Sequence, residues 1–407
     1  MASKRLYQED GYLKTNTTKV ENVKEVDGCE WIVCEESVYF PTGGGQPSDF
    51  GTVSLADQVF SVLSASDDGL ASDVWHQTDA PAGTFKVGDE VTLTIDWDNR
   101  FKNMQRHLGE HMLSGTFHNL FEGVNKGFHM SEDYIAIDID LNGRMLTEEE
   151  LDLAEKTVND AIWADLPVSI TYFENYEASL CMPVRKAVPH DGVVSVVTVG
   201  DAGEPYDCIA CCGTHPDSSA QVGLLAIYKC EPNKGMNRIY FDCGIKAKEY
   251  LSENYKLLTE IANRNSCSTD DLLHKLETAE ENANNLKQQM AKMSAYIKDI
   301  EKEKIVLELK NKNALIYDFD MISVDDLLKL GFAVTTELKD KFLILLHPET
   351  NTALLFSSGA AKCGTLIKEN ISNFNGKGGG RDDNARALFE NNRDMRAFAN
   401  EIIKMIK

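Results

Sequence analysis

Two short motifs about a hundred residues apart constrain this chain more than any other feature. Arg106-His107-Leu108-Gly109-Glu110-His111 sets two histidines at i and i+4, on one face of a helix predicted over Lys102–Phe121. Cys211-Cys212-Gly213-Thr214-His215 spaces a thiolate and an imidazole by the same four residues. Two such N/S pairs are what a tetrahedral zinc site assembled from two elements requires, and the thiolate disfavours Mg2+ or Ca2+. A fold that satisfies both motifs must bring a helix and a remote loop to one point.

Two other readings attach to the same residues. Cys208-Ile-Ala-Cys211 is a CxxC, as in thioredoxin-like redox chemistry, but Cys212 and His215 follow it and no βαβ pattern surrounds it. His107-x-x-Glu110-His111 is also the inverted zinc-protease pattern, with Glu110 as general base and a downstream carboxylate as third ligand. The Cys211/His215 pair leaves that arrangement little room.

Composition bounds the class. With 407 residues, 43% hydrophobic and 26% charged, the chain is globular and long enough for two to four domains. No apolar run approaches the roughly 18–20 residues that span a bilayer, so no membrane span is expected. The first ten residues lack the apolar core of a signal peptide, which predicts a cytoplasmic location and reduced cysteines for all ten. Net charge is −24, which argues against non-specific nucleic-acid binding over the whole surface. The last fifty-one residues run against this: nine basic against six acidic give +3, leaving −27 for the rest, and point to an anionic partner at that end.

The periodicities predict an α+β chain in four parts. Residues 1–100 read as β, with alternating strands at Cys29–Phe40, Gln58–Leu63 and Gly88–Trp97. Residues 101–245 alternate helix and strand, including a helix over Thr147–Ala164 opened by a Thr147-x-x-Glu150 capping box. In 246–312, the series Leu272, Leu276, Ala279, Ala283, Leu286, Met290, Met293, Ile297 and Ile300 keeps a 4,3 spacing, an a/d seam with Ser268 as N-cap. That seam packs on its own chain or makes a homodimer. Residues 313–407 return to α/β, with strands at Phe342–Leu346 and Thr352–Phe356, a Gly-rich turn at 376–380 and a helix from about Asn384.

Four blocks, in this order, carry a resemblance: Phe40-Pro-Thr-Gly-Gly-Gly-Gln-Pro-Ser-Asp-Phe-Gly51; Arg106-His107-x-x-x-His111-Met-Leu-Ser114; Cys211-x-Gly-Thr-His215 with Gln221-Val-Gly223 and Gly235-Met-Asn-Arg-Ile239; and Gly376-Lys-Gly-Gly-Gly-Arg-Asp-Asp383. Together they resemble the editing half of alanyl-tRNA synthetases and the free-standing AlaX editing proteins, in the long form that ends in a DHHA1-type module. The resemblance implies that His107, His111, Cys211 and His215 bind Zn2+, that residues 1–100 form a β-barrel-like domain carrying the Gly43–Gln46 loop against the zinc pocket, and that the C-terminal module binds tRNA. It implies a cytoplasmic aminoacyl-tRNA deacylase that edits tRNA(Ala) mischarged with serine or glycine, with no aminoacylation of its own.

Within that frame Gln46 is the expected water-orienting group, since its amide both donates and accepts. Gly43, Gly44 and Gly45 are expected to approach the terminal adenosine, and Thr42 and His129 to line the amino-acid pocket. Lys377, Gly378, Gly379, Gly380 and Arg381 are the expected tRNA contacts, ahead of a helix. Cys208 and Cys212 stand as competing ligands, and Glu110 is expected to face solvent. The non-enzymatic alternative is a tRNA-binding protein with a structural zinc.

Overall fold

The computed structural model of the chain describes residues 3–67, 72–186, 192–201, 203–337 and 339–406. It divides into two compact units, Met1–Glu260 and Ile261–Lys407, so the barrel and the metal motifs share one unit.

Six strands open the first unit: β1 (Thr15–Val26), β2 (Cys29–Cys34), β3 (Gly51–Leu55), β4 (Gln58–Ser66), β5 (Trp75–Pro81) and β6 (Glu90–Ile95). They close in the order β1-β2-β5-β4-β3-β6, with β6 returning to β1 in the register Thr17↔Thr92. Alternate residues fill the interior (Val20, Ile32, Val53, Val62, Val91 and Leu93), as closure requires.

Helix α1 (Trp97–Phe121) follows directly, capped by the Asp96 side chain on the Asn99 N–H. This start is five residues earlier than the hydrophobic pattern suggests, because Arg100 is drawn inward. Arg100 and Asp49 are both fully buried, and the guanidinium also donates to the Val38 and Gly11 carbonyls at 2.7 and 2.8 Å. Asp49 in turn accepts from the Phe40 N–H at 2.6 Å. Immediately before the first motif histidine, Arg106 makes a second buried pair with Asp242, at 2.7 and 2.8 Å, and donates to the Ser131 carbonyl. The helix is therefore fixed to the barrel at one end and to a sheet at its middle.

That sheet contains β7 (Val124–Met130) and β8 (Ile135–Asp140); after α2 (Glu148–Trp163) come β9 (Val168–Phe173), β10 (Val194–Val199), β11 (Asp207–Ala210), β12 (Leu225–Asn233) and β13 (Met236–Cys243). The strands form two antiparallel sheets, β12-β13-β8-β7 and β9-β10-β11. Helix α2 carries the expected capping box, both halves present. Leu108, Met112, Leu113 and Phe117 of α1 pack in a core with Ile135, Ile137, Ile139 and Phe241.

In the second unit, α3 (Leu272–Lys310) precedes a five-stranded sheet. Its N-cap is Asp271 rather than Ser268, whose hydroxyl accepts from the Asp271 N–H one turn earlier. Helix α3 is covered at its C-terminal end, through Ile305 and Leu309, and at its first residue, Leu272, whereas Leu276, Leu286, Met290 and Met293 between them are exposed on the unit. The sheet uses β14 (Ala314–Asp318), β15 (Phe342–His347), β16 (Thr352–Ser357), β17 (Gly376–Gly380) and β18 (Asn384–Phe389) in the order β14-β15-β16-β18-β17.

Two C-terminal expectations are corrected here. The glycine block is an exposed edge strand, not a turn, paired in the register Gly378↔Ala387. A Cβ at Gly378 would lie 2.3 Å from the Arg386 carbonyl oxygen, so the strand's close approach needs glycine. Asn384–Phe389 is a strand, not the start of a helix, because Ala385, Ala387 and Phe389 point alternately into the core; the last helix, α4, runs over Asn392–Ile406. Lys377 and Arg381 are exposed as expected, but on a strand and its turn, not at a helix N-terminus.

Candidate metal centre

Helix α1 and the loop after β11 bring His107, His111, Cys211 and His215 together, one ligand atom from each lying within 4.8 Å of all the others. The imidazole centroids are 4.7 Å apart for His107–His111 and His107–His215, and 5.1 Å for His111–His215. Cys211 Sγ lies 3.4 Å from His107 Nε2 and accepts from the Gly213 N–H. Gly213 is required at its place: a Cβ there would sit 2.2 Å from His107 Cε1.

The donor set fits a cation. All three histidines are buried, yet neither ring nitrogen of His215 and not Nε2 of His111 has a hydrogen-bond partner among the described residues. Buried polar nitrogens without partners are costly, and a shared metal removes that cost. Burial works against the Cys211 thiolate, but the surrounding imidazoles of His107, His111 and His215 outweigh it and hold the thiol well below its usual range. Three nitrogens and one thiolate match zinc's preferred donors. Cys208 and Cys212 lie outside the cluster. Cys208 is buried beside Thr198 at 3.8 Å, and burial pushes the Cys212 thiol up to about 11.

Two side chains hold the histidines from behind. Gln46 is fully buried; its Oε1 lies 2.7 Å from His107 Nδ1 and accepts from the Thr214 N–H at 3.1 Å, while its Nε2 donates to Thr214 Oγ1 at 2.8 Å. With Nδ1 so engaged, Nε2 of His107 is left to face Cys211. Both ends of the Gln46 amide are thus committed, so its geometry is that of a positioning group and departs from the water-orienting role expected. The turn Gly43–Gln46 delivers it, with Gly44 and Gly45 at φ +60° and +86°.

Glu110 is the second, and it is buried rather than facing solvent. One carboxylate oxygen lies 2.8 Å from His111 Nδ1; the other accepts from Ser114 Oγ and Asn125 Nδ2 at 2.7 and 2.8 Å. Burial opposes its ionisation, but His111, Arg185 and Ser114 hold the carboxyl down to about 2. Burial likewise opposes the charge on His111, yet Cys211 and Glu110 push it up to about 10. His215, by contrast, is brought down to about 4 by burial.

A cavity of about 470 Å3 opens beside the cluster. Its walls include His111 and Cys211, the apolar Phe128, Val194 and Ile209, the cations Lys126, Arg185 and Lys186, and Gly44 from the glycine turn. Phe128 lies nearly parallel to His107, centroids 5.7 Å apart. Thr42 and His129 are corrected as pocket residues. His129 follows Phe128 on β7 and does not line this cavity; it lines a smaller one with Tyr134 and Tyr240, which Phe128 also borders. Thr42 is exposed before the turn, its N–H tied to the Ala65 carbonyl. Phe128, Asn125 and Arg185 were not legible in advance; only the strand register and the loop path place them here.

Residues 8–99 match the family described as tRNA synthetases class II (A), and residues 194–240 match the threonyl and alanyl tRNA synthetase second additional domain. The alanyl-tRNA editing protein AlaX-L of Pyrococcus horikoshii is 27% identical over 95% of this chain and 94% of its own length. The alanine–tRNA ligases of Pyrococcus abyssi and Thermococcus kodakarensis are 28% and 26% identical over 99% of this chain, which spans 44% of each ligase. Over nearly its whole length, then, the chain resembles an AlaX-type editing protein, as its four blocks do.

Proposed function

We propose that this protein is a trans-editing hydrolase that deacylates tRNA(Ala) mischarged with serine, and with glycine as a second substrate, at a zinc centre held by His107, His111, Cys211 and His215. The observation that carries the reading is the N/S cluster whose His111 and Cys211 line a cavity shared by apolar and cationic side chains. The similarity to an editing protein along 95% of the chain supports the substrate class. The need for such an enzyme is physical. An alanine pocket rejects serine by only about a hundredfold, since the extra hydroxyl is small, and a second hydrolytic site supplies the remainder.

Bound zinc supplies either a polarised ester carbonyl or an acidified water. The chain's own residues do the positioning. Gln46 and Glu110 fix the ring orientations of His107 and His111, whereas His215 has no such hold and is the ligand freest to give way. Phe128 offers a flat apolar wall to the terminal adenine. A metallopeptidase reading is not favoured, because Glu110 is held by three side chains and no carboxylate belongs to the ligand cluster among the described residues.

In the second unit, Lys377, Gly378–Gly380 and Arg381 are the proposed tRNA contacts, an exposed strand edge whose glycines let a phosphate backbone approach. The exposed seam of α3 is the proposed homodimer surface. Leu286→Lys with Met290→Lys should halve the mass in solution, and a dimer that survives both charges refutes this.

Metal removal tests the core of the proposal. Stripping zinc with a chelator, and Cys211→Ala, should each abolish hydrolysis of seryl-tRNA(Ala), with recovery on zinc addition only in the wild type. Hydrolysis unaffected by either would make the metal structural and refute the zinc chemistry, whereas no hydrolysis by the zinc-loaded wild type would favour a tRNA-binding protein with a structural metal.

A further inference from the structure

Arg185, a cation lining the cavity, carries a donor that the site described so far does not use. The Arg185 side chain is 8% exposed, and its Nε donates to Asp207 Oδ1 at 2.6 Å. Its backbone is tied to the adjoining strand, the N–H donating to the Cys208 carbonyl at 2.9 Å. Its Nη2 is buried and has no hydrogen-bond partner among the described residues, and neither has Asp207 Oδ2 in the same pair. A guanidinium presents five donors in a fixed fork, and a buried one left unmade is costly unless a partner arrives. Two more cations line the same cavity. Lys186 Nζ donates to the Asn125 carbonyl at 3.3 Å, and Lys126 makes no ion pair among the described residues. In a chain of net charge −24, three cations around one cavity run against the overall balance.

We propose that Arg185, flanked by Lys126 and Lys186, forms an anion subsite that binds the phosphodiester next to the reacting end of the acceptor strand. This rests on the editing reading above. In an aminoacyl-tRNA, the α-ammonium beside the ester is cationic and is repelled by these side chains. The nearest anion is the phosphate on the 5′ side of the terminal adenosine. Arg185 therefore faces the nucleotide side of the ester and leaves the amino acid toward Cys211 and Glu110. Asp207 holds only Nε, so the guanidinium keeps charge-assisted donors available to a phosphate oxygen.

The test compares seryl-tRNA(Ala) with 2′(3′)-O-seryl-adenosine, which has the same ester and no phosphate. Arg185→Gln should lower kcat/KM on seryl-tRNA(Ala) by about 10- to 100-fold, the usual worth of a charge-assisted hydrogen bond, chiefly through KM. The loss on seryl-adenosine should be at least about tenfold smaller. Equal losses on both substrates would overturn the subsite and make Arg185 a structural partner of Asp207.

Should Arg185→Gln fail to fold, Lys126→Ala with Lys186→Ala gives the same comparison from the cavity rim. A KM on seryl-tRNA(Ala) unchanged by that pair would also overturn the proposal. A third arm is independent of hydrolysis: the wild type should bind the trinucleotide CCA more tightly than adenosine, and the variants should lose that difference. Wild-type protein that hydrolyses neither ester refutes the editing reading. Wild-type protein that binds CCA no better than adenosine refutes the subsite.

Discussion

Replacing Gln46 with alanine separates two roles for one side chain. The substitution removes an acceptor 2.7 Å from His107 Nδ1, an acceptor 3.1 Å from the Thr214 N–H and a donor 2.8 Å from Thr214 Oγ1. All of these are inside the protein, and no solvent reaches Gln46 to replace them. Outer partners of metal-bound histidines typically carry about 10- to 100-fold in metal affinity. That is roughly 1.4–2.7 kcal/mol, close to the loss of one or two buried hydrogen bonds at about 1 kcal/mol each. Gln46→Ala should therefore weaken zinc binding by that factor, read by competition with a chelator of known affinity. Gln46→Glu keeps an oxygen on His107 Nδ1 and should restore most of it. If Gln46 instead orients the attacking water, Gln46→Ala would bind zinc like the wild type and lose only rate. That result would refute the positioning argument.

Other perturbations follow from the same geometry. Glu110→Gln removes the negative charge beside His111. Because the Glu110 carboxyl is held down to about 2 in the fold, it stabilises the metal-free protein above its ordinary range near 4.5, and this is lost as pH falls toward 2. Denaturation midpoints of the variant should accordingly flatten across that acid window, and an unchanged pH profile would contradict the pairing. His111, pushed up to about 10, must release a proton to solvent for a metal to take its place, so zinc affinity should rise with pH through neutrality, as a chelator competition series would show. Gly213→Ala drives a methyl against His107 Cε1 and Gln46 Oε1 and should abolish zinc retention, whereas Gly203→Ala, with no neighbour within 4 Å, should stay within about 0.5 kcal/mol of wild type in a denaturant titration. Arg100→Ala strands the fully buried Asp49 and should cost about 3–5 kcal/mol in thermal unfolding, with partial recovery when Asp49→Leu is added.

The residues that were legible in advance are those whose signal is local. The two ligand pairs follow from the i, i+4 repeat and a short loop spacing, and the Thr147 capping box closes within one helical turn. What escaped depends on distant partners. Gln46 meets His107 across sixty-one positions, and Arg100 meets Asp49 across fifty-one, so the sequence shows the amide and the charges without their assignments. Glu110 sits in a polar-looking stretch of α1 that is buried at every residue from Asn103 to Phe117, which no amphipathic pattern reveals. Asn384-Ala-Arg-Ala-Leu-Phe389 has helix-favouring composition, yet it pairs between two strands, where the tertiary setting overrides propensity. His129 was misplaced by a single residue, since its neighbour Phe128 lines the cavity and His129 does not.

The most direct measurement is the rate of deacylation of seryl-tRNA(Ala) beside alanyl-tRNA(Ala) by the zinc-loaded protein, with zinc content assayed in the same samples. The account predicts fast loss of the seryl ester, a much slower loss of the alanyl ester, and neither in Cys211→Ala. Zinc-loaded protein that leaves the seryl ester intact, or cleaves both esters alike, would contradict it.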